Sequence, residues 1–213
     1  MGLPTVSFNS KSHEKYLIDS AVLLANLKWN STAEEWEFTE LGATEGSVSI
    51  TVEMSYRQME VNGTSHLQVK QQQILETFNA SATATIKEQS AAFITRAING
   101  ELVDIDANEA PSEYKKIVPK RFVNDESFLD NIAFVGKLSS NGGQPIIVVL
   151  DNAKPISGFN GSTEDNGEMA VEQEYVAHAD INDLKENADY LPLRFYVPGS
   201  IIDGQPQELE VGA

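Results

Sequence analysis

The sequence predicts a mainly β protein, on three observations. Residues 48–56 alternate apolar and polar, residues 73–87 alternate again beyond an Asn-Gly pair, and the run PIIVVL from Pro145 is short, apolar and rich in branched side chains. Successive side chains of a strand point to opposite faces, so alternation marks a strand with one wet face, and a short unbroken apolar run bounded by turn residues suits a buried one.

The elements follow in order. Residues 16–29, YLIDSAVLLANLKW, carry an apolar run at 21–27 that suits a buried strand or a short helical segment, and the flanking turn residues favour the strand. A polar stretch from Asn30 and a short WEFTEL segment lead to LGATEG, where Gly42 and Gly46 bracket a turn. In the next strand Val48, Ile50, Val52, Met54 and Tyr56 share one face, and Ser49, Thr51, Glu53 and Ser55 share the other. Asn62-Gly63 is a hairpin signal. In the returning strand Ile74, Phe78, Ala80, Ala82, Ala84 and Ile86 oppose Thr77, Asn79, Ser81, Thr83 and Thr85. Glu76 interrupts the apolar face, which points to a hairpin end that leaves the core.

Residues 90–99 read as a helix: Phe93, Ile94, Ala97 and Ile98 fall on one stripe, Ser90 suits the N-cap and Gly100 suits the stop. IAFVGKL reads as a strand, NGG from Asn141 as a turn, and PIIVVL as the buried strand. After the glycine-rich loop from Gly158, MAVEQEYVAHAD alternates, with Val171, Gln173, Tyr175 and Ala177 facing one way and Glu172, Glu174, Val176 and His178 the other. A short helix near residues 182–187 and a strand LRFYVP complete the ordered part, with a polar arm from about residue 199.

At 213 residues one substantial core is affordable, since a chain of this size buries roughly 70% of its unfolded surface. A single domain, 1–213, with arms at about 1–15 and 199–213 and a long hairpin loop at about 57–72, is the simpler reading, because no Pro/Gly/Ser-rich linker divides the chain. No window approaches the ~20 apolar residues of a membrane-spanning helix, and MGLPTVSFNSKSHEK lacks the basic start and apolar core of a secretory signal, so neither membrane insertion nor export is expected. The absence of cysteine excludes disulfides, a thiol nucleophile and thiolate zinc sites. Asp and Glu number 32 against 15 Lys and Arg, which argues against tight nucleic-acid binding, because phosphate affinity comes mainly from cations.

Reactive constellations are weak. DIDANEA from Asp104 begins like a calcium loop, but Glu109 stands where the sharp turn needs glycine and Lys115 stands at the closing acidic position. Asp165, Asn166 and Glu168 offer oxygens for a looser cation site, but a solvated acidic loop is the favoured reading in so acidic a chain, and His13, His66 and His178 lack the i, i+4 spacing of a helical metal site. No GxSxG elbow, P-loop or GxGxxG fingerprint occurs. No catalytic residue, metal or cofactor is expected.

The joint order of LIDSAVLLANL, the LGATEG turn with its alternating hairpin, one helix, PIIVVLDNAKPISGF and NGEMAVEQEYVAHAD resembles the major tail protein family of long-tailed, non-contractile phages across most of the chain. The resemblance implies a β-sandwich or partial barrel with a flanking helix and a long β-hairpin. Subunits of this kind close into hexameric rings that stack into a tail tube, with part of each sheet completing a continuous barrel around the lumen. It implies a virion protein assembled in the host cytoplasm, whose partners are its own copies, a tape-measure protein, a tail terminator and a distal tail protein. DNA would pass through without specific binding.

By this analogy Ser49, Thr51, Glu53, Ser55, Thr77, Asn79, Ser81, Thr83, Glu172 and Glu174 are candidates for the lumen, where few cations would hold phosphate. An ordinary solvated sheet face accounts for the same alternation. Arg57, Met59, Asn62, His66 and Gln72 are candidates for contact with the next ring, against the alternative of a polar loop without a partner. The tube of a contractile tail or related injection machine shares the architecture. A β-rich adhesin is the other class of function, and exposed aromatic platforms would favour it.

Overall fold

The computed structural model describes residues 17–59, 70–106, 108–111, 113–139, 144–163 and 167–199. Their elements are β1 (Leu17–Asn30), β2 (Glu35–Glu40), β3 (Thr44–Gln58), β4 (Gln73–Ile86), α1 (Ala91–Ala97), β5 (Gly100–Val103), β6 (Lys116–Pro119), β7 (Leu129–Leu138), β8 (Pro145–Pro155), β9 (Gly161–Ser162), β10 (Ala170–Val176), α2 (Ile181–Glu186) and β11 (Leu193–Tyr196). The fold is mainly β and antiparallel throughout, as the alternation requires. No helix among the described residues is long and apolar enough to cross a membrane.

The strands run β2-β1-β7-β8-β10-β4-β3, with β11 also on β8 and β9 on β10. Long β8 serves both layers: Ile147 to Leu150 pair with β11, and Lys154 and Pro155 pair with β10. The layer carrying β1 and β7 thereby faces the layer carrying β4 and β10. Between them lie Leu23, Ala25, Ile132 and Leu150 from the first, and Ala82, Ala84, Ile86, Val171 and Tyr175 from the second, with Phe93 of α1. Apolar burial of this kind is the main favourable term in folding. The alanines of β4 are small, which leaves room for the Tyr175 and Phe93 rings in the same core.

Several expectations change in detail. The apolar run 21–27 is strand, but not regular strand. Asn26 sits at φ +53° and the β1–β2 register slips between Ala25 and Lys28. This bulge reverses the alternation, so Leu23 and Ala25 enter the main core while Leu27 joins Ala133, Ile147 and Val149 on the opposite face. Asn131 takes over the missing ladder bonds: its Oδ1 accepts from Leu27 N–H at 2.8 Å and its Nδ2 donates to Leu27 C=O at 3.1 Å. The Oδ1 of Asn26 accepts from Asp130 N–H at 3.1 Å.

The helix at 90–99 is present as α1, with the Ser90 hydroxyl accepting from Phe93 N–H. Its left-handed residue is Asn99 (φ +51°) rather than Gly100, which opens β5. An added Cβ at Gly100 would meet Ile117 Cγ2 at 2.9 Å, so close packing of β5 on β6 selects glycine there. The stretch around KKIVPKRF supplies β6 of a small two-stranded sheet that alternation did not reveal.

Candidate assembly surface

The β3–β4 register brings the hairpin candidates together. Ser49 opposes Thr83, Thr51 opposes Ser81, Glu53 opposes Asn79 and Ser55 opposes Thr77. On the other side of β4, Glu174 opposes Thr83 and Glu172 opposes Thr85. Directly paired residues share a face, so all ten candidates stand on one face of the β3-β4-β10 layer. Ser81 is buried there, Thr83 and Glu174 are half-buried, and the other seven are exposed. Ser55 and Thr77 hydroxyls lie 2.5 Å apart.

Register adds residues that sequence reasoning left out. Glu45 pairs with Thr85, which places both in this face beside Glu172, and Val176 pairs with Ser81 on one side and Lys154 on the other. Thr85 continues the alternation already visible in β4, whereas Glu45 and Lys154 needed the pairing. Lys87 bridges Glu45 at 3.3 Å and Glu168 at 3.1 Å. Its hydrogen bonds, to Glu168 first and Glu45 next, hold its ammonium above the ordinary lysine range. Much of the remaining acid on the face stays without a bridging cation: Glu53, Glu172 and Glu174 ion-pair with no described residue.

The hairpin outreaches its support. β10 pairs with β4 only from Ser81 to Ile86, while β3 and β4 stay paired out to Gln58 and Gln73. Beyond Ser81 the hairpin is thus a two-stranded ribbon, an arrangement only marginally stable by itself in water. Its apolar face is open: Val52, Met54 and Tyr56 are 37%, 45% and 57% exposed, and Phe78 is half-buried. Tyr56 donates from its hydroxyl to Met54 Sδ at 3.3 Å, holding the two together. Glu76 is the extra residue of a bulge, since Ser55 pairs with Thr77 but Tyr56 with Leu75. The bulge therefore brings Leu75, not Glu76, opposite Tyr56. In the ordering of strands β3 has β4 as its one partner, leaving its other edge free for a further strand among the described residues.

Of the candidates at the hairpin end, Arg57 and Met59 are exposed and Gln72 is half-buried, its carbonyl accepting from Met59 N–H at 2.8 Å. Asn62 and His66 lie outside the described residues, as do His13, the arm at 1–15, the NGG turn and most of the C-terminal arm.

The weaker chemical candidates are internally satisfied. Asp104 pairs with Lys115, whose ammonium holds its carboxyl below the ordinary range. Asp106 accepts from the backbone and side chain of Asn108, both at 2.8 Å. Glu168 is taken by Lys87, and Asp165 and Asn166 lie outside the described residues. His178 packs its ring edge-on to Phe128 with centroids 5.1 Å apart. No group of three or more potential metal ligands is gathered among the described residues.

The site is thus a ribbon with one acidic, hydroxyl-rich face, one open apolar face and one free edge. No family model matches the chain. No curated protein matches it either. Among solved structures it is similar to a chain of the 6-fold symmetrised baseplate of the anti-feeding prophage, at 13% identity over 92% of this chain and 97% of that one, with a TM-score of 0.36. It is also similar to a chain in the C6-symmetric tail of an empty gene transfer agent particle, at 13% identity over 82% and 96% with a TM-score of 0.36. A chain of the native gene transfer agent virion stands at 15% identity over 82% and 95%, again with a TM-score of 0.36.

Proposed function

We propose that this chain is a structural subunit of a phage-type tail, which closes into hexameric rings and stacks into the tube through which the genome leaves. The observation that carries the reading is the unsupported ribbon: strands β3 and β4 continue past β10 with an apolar face in water and a free edge. Both features are liabilities in a monomer, and ring closure removes both, pairing the edge with a neighbour's sheet and covering the apolar face. The resemblance of the sequence to major tail proteins supplies the particular assembly, a non-contractile tube around a tape-measure protein, capped by a terminator and seated on a distal tail protein.

In such a tube the face carrying Glu53, Glu172 and Glu174 with its hydroxyls lines the lumen. Carboxylates repel DNA phosphate and hydroxyls hold it weakly, so the genome slides. The mechanism is geometric and no residue makes or breaks a bond. The non-contractile assignment rests on the sequence resemblance, and a contractile tube is the variant to separate from it by testing for a sheath partner.

Negative-stain electron microscopy of the purified full chain, at rising concentration and with added salt, tests the reading. Hollow tubes or six-fold rings are expected for wild type and their loss for Met54→Lys, which puts a charge into the proposed contact. A Met54→Lys protein that forms the same tubes would overturn the role of the ribbon.

A further inference from the structure

The bulge at Asn26 builds a second surface, away from the hairpin. By turning Leu27 and Trp29 to the outer face of the β1–β7 layer, it sets Trp29 against Trp36 of β2 with ring centroids 5.3 Å apart and planes at 64°. Trp36 meets Tyr196 of β11 in the same way, at 5.6 Å and 66°. Rings that stand edge to face cannot hide one another's surfaces as a flat stack would. Trp29 remains 47% exposed and Tyr196 40%. Together they wall a groove of about 550 Å³ with an apolar floor of Leu27 and Val149.

Polar groups also line the groove. Asp130 lines it and forms no ion pair with a described residue, whereas Lys28 stands opposite Glu37 in the β1–β2 register and so belongs to the other face of β1 from Trp29. Arg194 is fixed in place: its Nε donates to Asp151 Oδ2 at 3.1 Å, Nη2 pairs with Asp151 Oδ1, and Nη1 donates to the Tyr196 hydroxyl at 3.2 Å. Both signs of charge are present around the groove, so it does not select a charged ligand by field alone. Its volume falls within the range of about 300–1,000 Å³ of small-ligand sites, and its make-up, aromatic walls with a few placed polar groups, is that of such sites.

From these features we infer that the groove is a carbohydrate-binding site, taking a neutral oligosaccharide of a few pyranose rings. The C–H faces of a pyranose match the apolar ring faces of Trp29 and Tyr196, and its ring of hydroxyls presents donors to the Asp130 carboxylate. A flat apolar protein partner would bury the Asp130 carboxylate without a matching cation, which is costly. The site lies on the opposite layer from the hairpin and is independent of whether the chain forms a tube.

The test is a printed array of neutral bacterial surface oligosaccharides, followed by titration of tryptophan fluorescence with each glycan retained and with chitotriose and maltotriose. Wild type is expected to bind at least one of them saturably. Trp29→Ala and Asp130→Ala are each expected to weaken that binding about tenfold or more, the range of a well-placed contact. Phe122→Ala, which trims a side chain 77% exposed outside the groove, serves as the control and leaves binding unchanged. Far-UV circular dichroism verifies that each variant folds. Absence of any saturable glycan up to millimolar concentration overturns the inference, as does binding that survives both groove substitutions. If Trp29→Ala instead changes the sedimentation of the chain and no glycan binds, the groove is a contact between copies and the carbohydrate assignment is wrong.

Discussion

Tyr56→Ala isolates the contribution of the open ribbon. Tyr56 keeps 57% of its surface in water in the single chain. An aromatic side chain offers about 150–250 Å² to burial, so covering the rest of Tyr56 removes about 100 Å² from water and stabilises each contact by about 2.5 kcal/mol. The alanine methyl retains part of that, leaving a loss of about 2 kcal/mol per contact, or about 30-fold in the concentration at which tubes appear. The monomer should hardly notice, because substitutions of exposed side chains usually stay within about 0.5 kcal/mol. Pelleting of assembled protein across a concentration series, alongside thermal melting of the dilute chain, reads both quantities. An unchanged assembly threshold, or a threshold that moves only as much as monomer stability falls, would refute the argument that this face is covered by a neighbouring copy.

The other expectations concern the body of the sandwich and its charge. Burial pushes the Tyr175 hydroxyl up to about 12, above its unfolded value of 10.0. The folded chain thus keeps a proton that the unfolded chain releases; the associated stability is intact below pH 10 and falls by about 2–3 kcal/mol as pH rises to about 12, a loss that Tyr175→Phe should remove from denaturant melts in that window. Asn131→Leu removes both bonds to Leu27 and leaves that residue's buried backbone N–H and C=O without partners, a cost of about 2–4 kcal/mol measurable by urea unfolding. Ser90→Ala removes the α1 cap and should cost about 1 kcal/mol by the same assay, with Ser90→Asp close to neutral. Raising salt should lower the assembly threshold, because a chain of net charge −17 repels its copies and the screening length drops to about 8 Å at physiological ionic strength; a threshold that rises with salt would mean that attraction between opposite charges, not apolar burial, drives assembly.

Where side-chain period and strand geometry coincide, the sequence was readable. Ser49 to Ser55 and Thr77 to Thr83 alternate without interruption, and the observed register needs only that alternation to put them on one face. Two of the failures share one cause. A bulge adds a residue without adding a turn signal, so Asn26 and Glu76 each shift the alternation where the composition stays ordinary. The groove was illegible for that reason: by simple alternation Trp29 belongs with Leu23 and Ala25 in the core, and it lies outside because Asn26 adopts φ +53°. Glu76 did signal trouble, as a charge in an apolar row, and the consequence is that the bulge sets Leu75 rather than Glu76 opposite Tyr56. Pairings between distant segments, such as Glu45 with Thr85 or Arg194 with Asp151, depend on strand order, which no local pattern records.

One alternation serves two purposes in the hairpin, and where β10 ends decides which. At Ala82 the apolar face of β4 packs under Tyr175 of β10 and belongs to the core. Two residues nearer the tip, at Ala80, the alanine is still buried but its partner Val52 is already 37% exposed, and at Phe78 the partner Met54 is 45% exposed. The face stays apolar along this line; what changes is the presence of a third strand and a facing sheet. A neighbour that supplied both would extend the core past its present limit with the same pattern of side chains. The residues opposite, Glu53, Asn79, Ser55 and Thr77, are polar and exposed to the end of the ribbon, as expected of a face that would stay in water if a neighbour covered Val52, Met54 and Tyr56.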